Sequence, residues 1–420
     1  MSPMIAIFTK EILENIRSYR FMILSALLAA LMFISILVSY GDYQLRRENY
    51  DVLKPQQPNP EKIIIPPTPL SVFVKGIDTN LGRLLQFSAL GIDVQLSQQS
   101  VNRLFTLFTV PDMLFVIKVM LSLMALLFAF DAISGEKEQG TLKLLLAGGA
   151  GRFNLLFGKL FGRFVLVFVP FSILFLVAVA VVSLLPDVQT DRQYWLKLGV
   201  IVVSSGVYCL SFTALGILVS TLVHRSATSV IVSLAAWTVF VFVIPNLGIA
   251  VARDLATVPP GERVEMQGRL AAIQAIFERI KKEKSGPDKG IGTEMVNQIW
   301  GAQREIFESY RPALDGQMRL TRSIVLASPA GALTFLMTDV AGTGFLEDQR
   351  LKDAVMLHVK LNFGKYMHME PGEPGSFTYT RTSFGDVFLL SALTDSLVIV
   401  AFALFCIGLA TARFAVYDPR

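Results

Sequence analysis

Residues 128–159 read FAFDAISGEKEQGTLKLLLAGGAGRFNLLFGK, and this stretch decides how the rest of the chain is arranged. It joins one apolar run to the next through a dense patch of charge. Asp131 closes a hydrophobic helix, and Ser134, Gly135, Glu136, Lys137 and Glu138 form a short polar bend. Thr141 then opens a segment of helix-forming Leu and Lys, which Gly148, Gly149 and Gly151 break. A bend this polar between runs this apolar predicts a loop at a membrane surface.

Composition points to the same class. Of 420 residues, 53% are hydrophobic and 17% charged, and the mean hydropathy is +0.55, far from a soluble domain of this length. Cys209 and Cys406 both fall in apolar runs and read as small buried hydrophobes. The net charge of +5 is spread along the chain, which suits loops facing anionic lipid or a partner and leaves no nucleic-acid-binding patch.

An apolar run of about 20 residues crosses a bilayer. Runs at 21–40, 113–130, 165–185, 198–222, 229–249 and 387–411 predict an all-α integral membrane protein with six transmembrane helices. Ahead of them, residues 1–20 place Ile5, Phe8, Ile12, Ile16 and Tyr19 at helical spacing, an amphipathic elbow helix lying along the inner leaflet. The run 21–40 reads as a retained span and not as a cleaved signal peptide. Lys137, Lys143, Arg152, Lys159 and Arg163 in segment 131–164, with Lys10, Arg17 and Arg20, place both regions in the cytoplasm, and six spans bring the tail 412–420 to the same side. The expected location is a plasma membrane, the bacterial inner membrane, crossed several times.

Two polar regions then face outward. Residues 41–112 form a Pro-rich loop, with a strand expected near 63–65 and a helix near 97–108. Residues 250–386 form a mostly helical external domain. Helices are expected at 263–284, 295–310 and 315–327, stopped by the Ser285 break, Pro312 and Pro329, and residues 328–344 (SPAGALTFLMTDVAGTG) read as a re-entrant or interface-lying element.

Charges inside spans are expensive and mark packed or functional positions. Lys118 and Asp395 are the two clear cases. Counted from the outer ends they lie about 9 and 13 Å deep at 1.5 Å per residue, so they are expected to pair. Arg163, near the cytoplasmic edge, is expected to snorkel, and Pro170 and Pro245 to bend the third and fifth spans.

The order Asp131, Ser134, Gly135, Glu136, Glu138, Gly140, Thr141, Leu142 and then Gly158-Lys159 resembles the first cytoplasmic loop of permease subunits of ABC transporters of the second, mostly exporter, type. The strings at 328–331 and 338–344 resemble a subgroup with large external loops. The chain departs from the pattern at Gly148 to Arg152, where many relatives have Ser or Pro before the Arg. The resemblance implies that Asp131, Ser134, Gly135, Glu136, Lys137, Glu138, Gly140, Thr141, Leu142 and Leu145 contact a cytosolic ATPase subunit. It also implies a second permease copy or paralogue and outward transport, in a setting of membrane lipid with a further external partner protein open.

No P-loop is present, since Gly151 to Leu160 has the wrong spacing and no Ser or Thr after Lys159. ATP and Mg are therefore expected on the partner, with no cofactor bound by this chain. His224, His358, His368 and Glu370 match no zinc spacing, so no metal site is expected, and no Gly-x-Ser-x-Gly turn or other catalytic motif occurs. Few polar groups in the spans favour a lipid-like or amphipathic cargo over a small ion. A different class of reading, a membrane-anchored scaffold or sensor whose outer domain recruits partners, stays open at this point.

Overall fold

The computed structural model describes residues 3–53, 62–63, 65–76, 84–88, 91–95, 112–148, 151–185, 188, 190–256, 258–259, 263, 266–268, 270–271, 273–274, 277–278, 281, 293–366, 377–387 and 391–417. Among the described residues six helices are long and apolar enough to cross a membrane: Tyr19–Val52, Met113–Glu138, Arg152–Ser183, Arg192–Leu222, Ser226–Leu255 and Leu393–Ala415. We number them as spans one to six. The protein is a helical, multi-pass membrane protein. The elbow helix, Pro3–Ile16, precedes span one and lies along span three.

Span four is the hub. Its most apolar stretch is 72% buried, against 17% for the corresponding stretches of spans one and five. Tyr208 and Phe212 fill its centre, and spans two and six pack along it. Two ends are distinguishable. At the elbow end, Lys137 Nζ donates to the carbonyls of Thr221 (2.5 Å) and Val223 (3.1 Å), and Arg152 donates to the carbonyls of Ala415 and Tyr417. At the opposite end, the Lys75 amide donates to Asp112 Oδ2 at 3.1 Å and Arg381 Nη2 to the Pro66 carbonyl at 2.9 Å. The six-helix arrangement thus gathers both termini at one end.

Several helices outrun their apolar cores. The helix of span one continues to Leu53, 35 residues or about 52 Å, because Arg46–Asp42 and Arg47–Asp51 pairs four residues apart support it past Tyr40. Span three starts at Arg152, so Gly158 and Lys159 are helical and the loop predicted over 131–164 is largely helix. Pro170 is accommodated inside it. Residues 293–325 form one helix that continues through an exposed Pro312 instead of two. The described residues of 263–281 are helical; the predicted helix at 97–108 and the break at Ser285 lie outside the described residues.

Residues 328–344, expected as a re-entrant or interface-lying element, turn inward among the spans. Pro329–Ala341 is a helix buried among spans four, five and six, started by Ser328, whose Oγ accepts from the amides of Ala330 (3.1 Å) and Gly331 (3.4 Å). A Cβ on Gly331 would meet the Val325 carbonyl at 2.3 Å, so the two helices touch backbone to backbone. A small antiparallel sheet accompanies the helices: β1 (Lys62–Ile63) pairs with β2 (Leu84–Ser88), which pairs with β3 (Gly91–Gln95), Leu85 opposite Val94. The strand expected near 63–65 begins one residue earlier.

Spans two and five each contain a π turn, at Val116–Leu121 and Val239–Val243. Side chains take up carbonyls there: Tyr208 Oη (2.8 Å) and Ser122 Oγ (2.6 Å) both donate to Lys118 O, and Ser328 Oγ donates to Phe240 O. In span five Pro245 stands just after the π turn, at the second residue of the helix Ile244–Leu255.

The expected Lys118–Asp395 pair is not made. Asp395 is fully buried and pairs with Arg322 from the long insertion, Nη2 to Oδ2 at 2.7 Å, while the carboxylate facing Lys118 is Asp112. Apolar periodicity carries no information about a partner on an element more than 70 residues away. Replacing Lys118 by Met and Asp395 by Asn should therefore give additive changes in detergent melting, with a coupling below about 0.5 kcal/mol. A coupling well above that would put the two side chains in contact.

Candidate functional site

Span three sets the frame at the elbow end. Lys159 and Arg163 stand four residues apart on one helix face, and Gly158 and Gly162 repeat the same spacing. A Cβ on Gly158 would come within 3.0 Å of Ile7 Cγ2 and 3.2 Å of the Met4 carbonyl. One on Gly162 would come within 3.0 Å of Glu11 Cβ. The two glycines let the elbow helix lie directly on the span, as small residues do between packed membrane helices.

Close approach brings Glu11 between both cations. Lys159 Nζ donates to Glu11 Oε1 at 2.5 Å and Arg163 Nε to Oε2 at 3.0 Å, with all three residues under 10% exposed. Each cation also reaches the polar bend. Lys159 Nζ lies 2.7 Å from Glu136 Oε1, and Arg163 Nη1 donates to Asp131 Oδ1 and to the Phe128 carbonyl. Arg20 closes the chain of charges on Asp131 Oδ2 at 3.3 Å, with its guanidinium 5.9 Å from the Phe130 ring centre. Beside it Asn15, Ser18, Tyr19, Arg20, Leu127, Phe128 and Asp131 line a cleft of about 380 Å³.

The bend itself is a set of helix caps. Ser220 Oγ of span four accepts from the amides of Ile133 (2.9 Å) and Ser134 (2.8 Å), the start of the helix Ser134–Glu138. Lys137, by bonding Thr221 and Val223, places a cation on the carbonyl end of span four. Glu138 Oε2 accepts from the Ser226 amide at 2.9 Å, an anion on the amide end of span five. Gly140, at φ +74°, reverses the chain in a conformation that suits glycine and releases the helix Thr141–Ala147.

These contacts sort the ten bend residues singled out from the sequence. Ser134 and Leu142 are buried; Asp131, Glu136, Lys137 and Glu138 bond within the chain; Gly135, Thr141 and Leu145 are half-buried, and Gly140 is exposed. Lys143 and Leu144, outside that set, project outward, Leu144 at 73% exposure. With Leu142 turned inward at helical spacing, Leu144 must point away. Glu11, Arg20 and Ser220 were also absent from the sequence-derived set. The one signal that could have found Glu11 is its place on the elbow helix opposite a Gly-Lys-x-x-Gly-Arg string. Arg163 does not snorkel, because Glu11 and Asp131 hold it inside. Among the described residues no three His, Cys, Asp or Glu side chains gather as a metal site, while His368 and Glu370 lie outside the described residues.

Burial alone pushes the Glu11 carboxyl up; Arg163 and Lys159 more than reverse this and hold it below its ordinary 4.5. Its stabilising contribution is therefore complete above 4.5 and disappears as pH falls through the depressed value. Glu11→Ala should cost about 3–5 kcal/mol at neutral pH, since it strips a buried partner from two cations. Glu11→Gln should flatten the acid limb of the melting temperature against pH. Wild-type acid sensitivity in Glu11→Gln would show that the clasp does not contribute.

The chain is similar to two curated proteins. It is 34% identical over 125 residues to the probable ABC transporter permease protein NosY of Stutzerimonas stutzeri, covering 30% of this chain and 45% of that one. It is 40% identical over 82 residues to the protein of the same name from Pseudomonas aeruginosa, covering 19% and 30%. The chain thus matches less than half the length of these relatives. The model of the ABC-2 family of transporter proteins matches residues 5–418, nearly the whole chain, and the protein belongs to that family.

Proposed function

We propose that this protein is the membrane-spanning permease subunit of an ABC exporter, with the elbow end in the cytoplasm of a bacterial inner membrane and a separate ATPase docked on the helix Thr141–Ala147. One observation carries this reading: Lys143 and Leu144 protrude from a short helix whose base is clamped to the elbow and to spans three, four and five. A clamped knob can deliver a push, whereas a free loop would absorb it. ATP and Mg bind the partner ATPase, and a second copy of the permease or a paralogue completes the pathway beside spans one and five, the least covered of the six.

This reading relocates the docking contact. The charges of Glu136 and Glu138 hold the bend together, so reversing both should lower the melting temperature of the permease itself. Leu144→Asp with Lys143→Glu should leave melting unchanged and abolish co-purification with an ABC ATPase encoded beside the gene. Normal co-purification and turnover in that variant would remove the helix from the interface.

Topology is tested separately. A cysteine replacing Gln139 should be shielded from an impermeant thiol reagent in intact cells, while one replacing Gln56 or Ser285 should label. Labelling of the Gln139 position alone would invert the orientation.

A further inference from the structure

We propose that Asp339 and Asp395 hold one proton between them beside Arg322, forming a proton-binding site at the end of the bundle opposite the elbow. Three elements build it. Arg322 lies near the end of the helix Thr293–Val325, Asp339 on the buried helix Pro329–Ala341 and Asp395 in the first turn of span six. Arg322 Nη2 meets Asp395 Oδ2 at 2.7 Å and Nη1 meets Asp339 Oδ2 at 3.4 Å, so both carboxylates sit against one guanidinium.

Charge balance then requires a proton. Asp395 is 0% and Asp339 6% exposed, and two buried anions against one cation leave a net negative charge in a low dielectric. The charged groups that bear on these carboxyls, among the described residues, are each other and Arg322; the hydroxyls alongside are those of Ser391 and Thr394. Thr394 Oγ1 donates to the Ser391 carbonyl at 2.7 Å, and Asp395 Oδ1 is left buried with no hydrogen-bond partner among the described residues. An ionised carboxylate does not leave an oxygen bare in such a place, whereas a shared proton makes the trio neutral. The Phe335 ring, 5.0 Å from the guanidinium carbon, covers one face of Arg322. The Arg322 side chain, 26% exposed, is the member that reaches the protein surface, so the proton would exchange on that side; an O–H bond breaks and re-forms, and nothing else changes.

The test uses the full-length protein in lipid nanodiscs, isotope-labelled at its aspartate carboxyl carbons, followed by infrared spectroscopy. At neutral pH the wild type should show a protonated aspartate band that is lost in D339N and equally in D395N, because the remaining acid ionises against Arg322. Both single variants should melt like the wild type, and the double variant, with Arg322 uncompensated, should melt lower. Loss of an ionised band only in the single variants would overturn the proposal. Should a variant fail to fold, the wild type still decides against it if no protonated aspartate is present at neutral pH. R322M gives an independent reading: its melting temperature should fall as pH rises through neutrality, and a flat profile would also overturn the site.

Discussion

The carboxylate of Glu11 between Lys159 and Arg163 is the interaction on which the elbow end depends. A buried anion with two cations leaves one positive charge over; Glu136 and Asp131 of the bend bring two negative charges, and Arg20 on Asp131 closes the balance. None of these groups is tolerable alone at this depth, since removing one partner of a buried pair leaves an uncompensated charge. The elbow, span three and the polar bend are therefore held as a unit, and the close contacts at Gly158 and Gly162 set the distance at which the clasp closes.

The bend extends that unit to the rest of the bundle through helix ends. Four backbone groups at the start of any helix and four at its end lack intrahelical partners. Here side chains of the bend serve the end of span four and the start of span five, and Ser220 of span four serves the start of the bend. A displacement of the helix Thr141–Ala147 cannot stay local, because it disturbs caps on two spans and a salt bridge to a third.

How much of this was legible in sequence follows from the range of each interaction. Six apolar runs gave six spans, and the spacing of Ile5, Phe8 and Ile12 gave the elbow, because burial in lipid acts on each segment by itself. Helix limits were less legible: Arg46, Arg47 and Arg152 extend helices beyond their apolar cores through contacts that hydropathy does not weigh. The segment 328–344 read as a re-entrant or interface-lying element because it is apolar in the middle with small residues at both ends, while Gly331 is small so that Val325 can come close. Partner choice was least legible. Asp395 was recognised as costly, yet its counter-ion comes from an insertion that the sequence places outside the spans, and within the helical segment opened by Thr141 the sequence did not separate the outward Lys143 and Leu144 from the inward Leu142.

The same economy of charge explains why the two ends are built differently. At the elbow end three anions and three cations, Glu11, Asp131, Glu136, Arg20, Lys159 and Arg163, form a balanced chain that needs no further ion. At the far end Arg322 faces two carboxylates, and among the described residues the balance does not close. Between them span four runs as the most buried helix; its Tyr208 holds a π-turn carbonyl of span two, and Ser328 at the start of the buried helix Pro329–Ala341 holds one of span five. A helix can change register at such a turn without leaving a backbone group unbonded in hydrocarbon, which is the constraint every moving membrane helix must meet.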